Sequence, residues 1–285
     1  MHLPHRQGHA GAVVHAPLGY LSPTDESPVN YMFEPPPGVP RESVPADVRQ
    51  TAIADARQAL RPPSLAREGF ELWDAPSRVA CFDDEEEVRR VYHAECVALA
   101  LQLTGGRRAQ VFDHLVRRRE PGRPALALGR PGDGRAPSGN GRVHNDYSEA
   151  SGRRRLALVM PDEAARGTEV GRYCILNFWR SLNGPVLDTP LAVCDATTVQ
   201  AGDLVASEIR YPERSGEIYQ CLHSPAHRWS YFSAMDRHEV LVFKQYDSQV
   251  SGVPRFTPHA AFDLPEVPPD APLRASIEAR CLVLF

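Results

Sequence analysis

From residue 156 to the end, this chain is a train of short β-branched and aromatic runs: 156–160, 173–179, 191–195, 204–209, 218–222, 229–232, 240–246 and 277–285. Pro, Gly and Asp turns separate them, and the chain holds 27 Pro and 20 Gly in all. Each run is too short for a stable helix and has a strand's composition, so a sheet protein is predicted for this half. The first half differs. Asp83-Asp84-Glu85-Glu86-Glu87 puts acids where a helix dipole favours them, and Val88, Val91, Tyr92, Cys96, Leu99 and Leu103 follow at helical spacing up to Gly105-Gly106. The Ala and Leu spacing over 45–60 predicts a second, shorter helix stopped by Pro62-Pro63, and 161–167 predicts a third. Residues 69–82 and 111–128 read as strand, and 129–141 as a polar Gly/Pro/Arg loop. Helices first and strands after them predict a mainly β sandwich or barrel carrying an N-terminal helical layer.

One box in that layout carries chemistry: Val143-His144-Asn145-Asp146-Tyr147-Ser148. On a strand, residues two apart share a face, so His144 and Asp146 can reach one ion together. An imidazole and a carboxylate are two members of the 2-His-1-carboxylate set that holds non-haem Fe(II) with open positions. His259 is the expected third ligand, with His223 and His227 as competitors. After it comes Arg274-Ala275-Ser276, in which the guanidinium can fork onto the distal carboxylate of 2-oxoglutarate and the hydroxyl adds a hydrogen bond. Arg280 shares that strand face and competes with Arg274, although a pairing with Glu278 or another acid away from the iron suits it better. Asn177 either donates to the co-substrate or is a structural amide. Tyr147 and Ser148 orient a ligand or line the substrate pocket, and Trp179 and Trp229 read as core.

The ordered boxes extend further. Asn30-Tyr31-Met32, Gly69-Phe70-Glu71-Leu72, His144-Asn145-Asp146-Tyr147-Ser148, Asn177-Phe178-Trp179-Arg180, Gly184-Pro185-Val186 and Pro190-Leu191 come first. His227-Arg228-Trp229, Tyr246-Asp247-Ser248, His259-Ala260-Ala261-Phe262 and Arg274-Ala275-Ser276-Ile277-Glu278-Ala279-Arg280 complete the set. Together they resemble the secondary-metabolite hydroxylase/desaturase family, a group of gibberellin desaturase-like and cephamycin 7α-methoxylase component-like proteins. The resemblance runs from about residue 30 to the last residue. It implies a double-stranded β-helix (a cupin-like jelly roll) and an Fe(II)/2-oxoglutarate-dependent oxygenase. With O₂ as the second co-substrate, such an enzyme hydroxylates or desaturates an unactivated C–H bond of a small molecule.

On this reading residues 1–29 are a flexible N-terminal arm and 30–285 one oxygenase domain. A net charge of −4 argues against a partner bound through its phosphates, so no nucleic acid is expected. No apolar run reaches membrane-spanning length and no secretion signal opens the chain, which makes a cytoplasmic protein the expectation. The six cysteines are widely spaced and read as buried thiols. A homodimer or a biosynthetic partner protein is compatible with the family. Two other functions compete: a non-catalytic or partner-dependent subunit of a biosynthetic complex, and a zinc hydrolase built on the same His/Asp/His set.

Overall fold

The structure, a computed structural model, describes residues 13–119, 140–165 and 171–285. The chain runs β1 (Val13–Leu21), β2 (Val29–Tyr31), β3 (Ala46–Asp55), β4 (Phe70–Asp74), α1 (Glu85–Glu87), a π turn (Val88–Tyr92) and α2 (His93–Thr104). It continues through β5 (Arg108–Arg118), β6 (His144–Asn145), α3 (Glu149–Val159), α4 (Pro161–Ala164), β7 (Tyr173–Ser181), β8 (Leu191–Cys194), β9 (Leu204–Arg210) and β10 (Ser215–Cys221). Then follow β11 (Trp229–Tyr231), β12 (Glu239–Asp247), β13 (His259–Ala261) and β14 (Ala275–Leu284). Among the described residues these strands form two sheets, ordered β1-β3-β11-β8-β13-β6-β10-β9-β2 and β4-β12-β7-β14-β5. From β5 to β8, and again from β11 to β14, the chain crosses between the two sheets. That path is the jelly roll, or double-stranded β-helix.

Burial explains why the strands of the smaller sheet read as unbroken apolar runs. Cys174, Leu176 and Phe178 of β7, Val240 and Val242 of β12, and Ile277, Ala279 and Cys281 of β14 pack with Cys96, Leu99 and Ala100 of α2. The alternate residues Ile175, Trp179, Leu241 and Phe243 belong to clusters on the opposite face. Both faces are covered, so alternation with polar residues disappears. β14 is the exception that matters. Its inward face carries Ser276, Glu278 and Arg280, all on one side of the pleat. The larger sheet curls until Gly19 bridges Arg142 and Leu21 bridges Leu222, enclosing Leu18, Tyr20, Ile53, Trp229 and Phe262.

Several local expectations are corrected. Residues 1–12 lie outside the described residues, but Val13–Leu21 is a strand with Ala16, Leu18 and Tyr20 buried, so the segment from Val13 onward is not a free arm. The region 45–60 is not a helix. Ala46–Asp55 pairs antiparallel with β1, its end runs parallel to β11, and a single 3-10 turn (Ala56–Gln58) follows, capped by Asp55. A few tenths of a kcal/mol per residue of alanine propensity cannot outweigh two strand partners, roughly as expected. Residues 156–160 are not a strand but the last turns of α3. Ser148 caps that helix in a box with Ser151, and Glu149 pairs with Arg153 one turn on. In 69–82 only Phe70–Asp74 is strand. The strand expected over 111–128 spans Arg108–Arg118, with 120–128 and most of the loop 129–141 outside the described residues. The acidic helix start holds: Asp84 caps it, and Gly105 ends α2 at φ +68°.

Candidate metal centre

β6 is only two residues long, and its register builds the site. His144 stands opposite His259 of β13 on one side and Gln220 of β10 on the other. The two imidazoles lie with ring centres 4.3 Å apart, and the Phe243 ring backs His259 at 4.8 Å. His144 Nδ1 lies 2.8 Å from the Arg142 carbonyl and His259 Nδ1 3.4 Å from that of Thr257. A carbonyl only accepts, so each Nδ1 carries the proton and each Nε2 presents a lone pair. Asp146 lies just beyond β6, held by its backbone N–H on Gln245 Oε1 at 2.7 Å. Its Oδ1 lies 3.4 Å from His144 Nε2 and 3.9 Å from His259 Nε2. The three ligand atoms fall within 4.8 Å of one another.

The two oxygens of Asp146 are not equivalent. While Oδ1 faces the histidines, Oδ2 accepts from Asn177 Nδ2 at 2.9 Å and from Arg280 Nε at 2.8 Å. Burial works against the Asp146 charge, but Arg280 and the imidazoles outweigh it and hold the carboxyl well below the usual range. Burial, reinforced by His144, pushes His259 down to about 3, so the ring stays neutral and able to ligate. Two expectations change here. Arg280 does pair with Glu278, at 2.6 Å, but it is not away from the centre, because it also grips Asp146. Asn177 spends its amide N–H on Asp146, and its buried Oδ1 has no partner among the described residues.

Arg274 and Ser276 are both buried on the last strand and its approach. Arg274 donates through Nη1 to the Thr189 carbonyl at 3.0 Å and lies over the Trp179 ring at 5.8 Å. Its guanidinium forms no ion pair among the described residues. Burial, then the neighbouring Arg117, lowers its pKa to about 10. Arg274 Nε and Ser276 Oγ, two potential donors, have no partner among the described residues. Unsatisfied donors of this kind cost about 1–3 kcal/mol each, a cost that a bound carboxylate removes. The residues therefore fit a divalent ion together with an anionic co-substrate.

His227 does not join the centre. Its Nε2 meets Asp203 at 3.1 Å, its ring stacks on Tyr20, and His223 meets Tyr20 edge-on. Trp229 donates to the Tyr20 hydroxyl at 2.7 Å, inside the curled sheet. Ser148 is the α3 cap and Tyr147 packs with Tyr173 and Tyr246. Sequence reasoning assigned no role to two supporting residues, Gln245 and Asn145. Asn145 donates to the carbonyls of Tyr147 and Gln245 and accepts from Thr257 N–H, tying both ligand segments to β12. Its place between His144 and Asp146 was the available signal.

A family model described as an Oxidoreductase/YMDC permease-like domain matches residues 18–284. The chain is 30% identical to the hydroxylase/desaturase efuI of Hormonema carpetanum, over 93% of this chain and 96% of that one. It is also 30% identical to the Fe(II)/2-oxoglutarate-dependent dioxygenase nvfI of Aspergillus novofumigatus, over 89% of each. Among solved structures it superposes on the iron and alpha-ketoglutarate-dependent endoperoxidase NvfI with a TM-score of 0.85. The identity there is 27%, and the match covers 96% of this chain and 99% of the other.

Proposed function

Because the chain belongs to the hydroxylase/desaturase family of Fe(II)/2-oxoglutarate-dependent oxygenases, we propose that His144, Asp146 and His259 are its iron ligands and that Arg274 and Ser276 grip the far carboxylate of 2-oxoglutarate. The protein is an oxidoreductase of secondary metabolism that acts on a small molecule with Fe(II), 2-oxoglutarate and O₂. When bound, the metal and its co-substrates supply the oxidising power needed to break an unactivated C–H bond.

The chain's own residues supply geometry. The Arg142 and Thr257 carbonyls turn both Nε2 atoms inward, and Gln245, Asn177 and Arg280 fix the carboxylate. Trp179, Leu241 and Phe243 wall the inner face with apolar surface and keep water from it. We read the outcome as hydroxylation or desaturation by one catalytic domain. A cytoplasmic setting accords with the cysteines, all six of which are free thiols.

The observation that carries this reading is the pairing of the His144/Asp146/His259 cluster with a buried Arg274 Nε and Ser276 Oγ that have no partner among the described residues. A zinc hydrolase gives those two groups no task. The decisive experiment is anaerobic metal loading followed by metal analysis. His259→Ala, His144→Ala and Asp146→Ala should each lose the ion and all turnover, while His227→Ala and His223→Ala keep it. An empty site in His227→Ala with a full one in His259→Ala would overturn the assignment.

A further inference from the structure

Every nitrogen of Arg280 is held by a carboxylate: Nε by Asp146 at 2.8 Å, Nη1 by Asp113 at 2.8 Å and Nη2 by Glu278 at 2.6 Å. Asp113 faces solvent, its side chain 55% exposed, but those of Asp146 and Glu278 are only 11% and 7% exposed. Two buried acids thus share one guanidinium beside two ligand-ready imidazoles. Register explains it. Arg280 stands directly opposite Asn177 and Glu278 opposite Trp179 on β7, so both acidic partners and the amide crowd one end of the inner face. The charge of Arg117 also bears on Glu278.

A facial triad works only if three positions on the metal stay free of protein. Here Arg280 links Oδ2 of Asp146 to the Glu278 carboxylate, and either of those carboxylate groups binding a further position would block one the co-substrates need. Resting on the iron assignment above, we propose that Arg280 is a positioning residue that keeps protein carboxylates off the metal. It holds Asp146 to its single donor atom Oδ1 and holds Glu278 out of the coordination sphere. Without the guanidinium, two buried charges lose their shared partner, and a divalent ion beside them is the nearest replacement.

The test substitutes Arg280→Met, which keeps the apolar stem and removes the donors. With Co(II) as the probe and no 2-oxoglutarate present, visible absorption reports how many ligands the ion has. The ion should stay bound, its spectrum should change towards a more saturated site, and 2-oxoglutarate affinity by anaerobic calorimetry should fall roughly 10–100-fold. Adding Glu278→Gln to Arg280→Met should restore much of the lost affinity, which a merely structural role for Arg280 would not allow. If thermal melting shows that Arg280→Met does not fold, Arg280→Lys serves instead. An ammonium lacks the rigid fork by which Nε and Nη2 meet the two acids at once, so the same spectral change and the same rescue are expected. A parent-like spectrum and affinity in the folded variant, or loss of the ion from it, overturns the proposal. Absence of rescue overturns the exclusion of Glu278. Failure of the unaltered chain to bind Co(II) would instead remove the iron assignment on which the proposal rests.

Discussion

The division of labour within single side chains is the sharpest feature at the residue scale. Asp146 turns one oxygen to the histidines and gives the other to Asn177 and Arg280. Arg274 and Ser276 are the reverse case, buried groups with Nε and Oγ unspoken for. A guanidinium meets a carboxylate with two parallel N–H bonds, a fork that an ammonium cannot reproduce. Arg274→Lys should therefore weaken 2-oxoglutarate binding markedly with the metal retained. Ser276→Ala should cost less, about 1–3 kcal/mol, the range for a lost partner in a buried site. Calorimetric titration of 2-oxoglutarate into anaerobic, metal-loaded protein measures both. Equal affinity in Arg274→Lys and the parent chain would move the anchor elsewhere.

At the scale of elements, helix α3 sets where the His-x-Asp segment ends. Its cap, Ser148, lies two residues after Asp146, and its residue Gly152 lies flat on the Tyr246 ring of β12. A Cβ at 152 would overlap that ring, and an aromatic buried to 1% exposure has nowhere to retreat. Gly152→Ala should destabilise the fold by roughly 1–3 kcal/mol, the cost of overpacking, despite alanine's better helix propensity. Ser148→Ala should cost about 1 kcal/mol through the lost cap. Urea melts compare the two directly. Gly152→Ala as stable as the parent would mean that α3 can slide on β12.

For the whole molecule, the last strand ties the smaller sheet together. β14 lies between β7 and β5, pairing residues 276–284 with 173–181 and residues 275–284 with 108–118. A truncation before residue 275 removes a central strand with Ser276 and Arg280, and should leave no cooperative unfolding transition by circular dichroism. Acid sensitivity has an identifiable source as well. Asp247 is fully buried and bound to Arg172 at 2.7 Å and to Lys244, the only lysine, at 2.9 Å. Burial opposes its charge, but those two cations prevail and hold its pKa below the ordinary value. A depressed folded-state pKa contributes stability above the unfolded carboxyl's pKa, about 3.9, and that contribution is lost as pH falls through the folded value. Asp247→Asn should then be less stable at neutral pH, with a shallower loss of stability below about pH 4, since one titrating group is gone. Parallel slopes for the two proteins in that acid range would exclude Asp247 as the source.

By itself, the sequence determined most of the late strands, the capped helix from Glu85 to Thr104 and the candidates His144, Asp146, Arg274 and Ser276. These are local signals: short apolar runs between turn residues, an acidic first turn, and ligand types at same-face spacing. Pairing across the fold decided the rest. Whether 46–55 was helix or strand depended on β1 and β11, and whether 156–160 was strand or helix depended on the cap eight residues earlier at Ser148. The third ligand was ambiguous along the chain because sequence separation says nothing about register. The single pairing of His259 with His144 separated it from His227, which Tyr20 and Asp203 hold beside β1 of the same sheet. Arg280 followed the same rule. Its spacing gave Glu278 as a partner, but only the register of β14 on β7 brought it to Asp146, because a side chain's charge partner is set by which strands lie side by side.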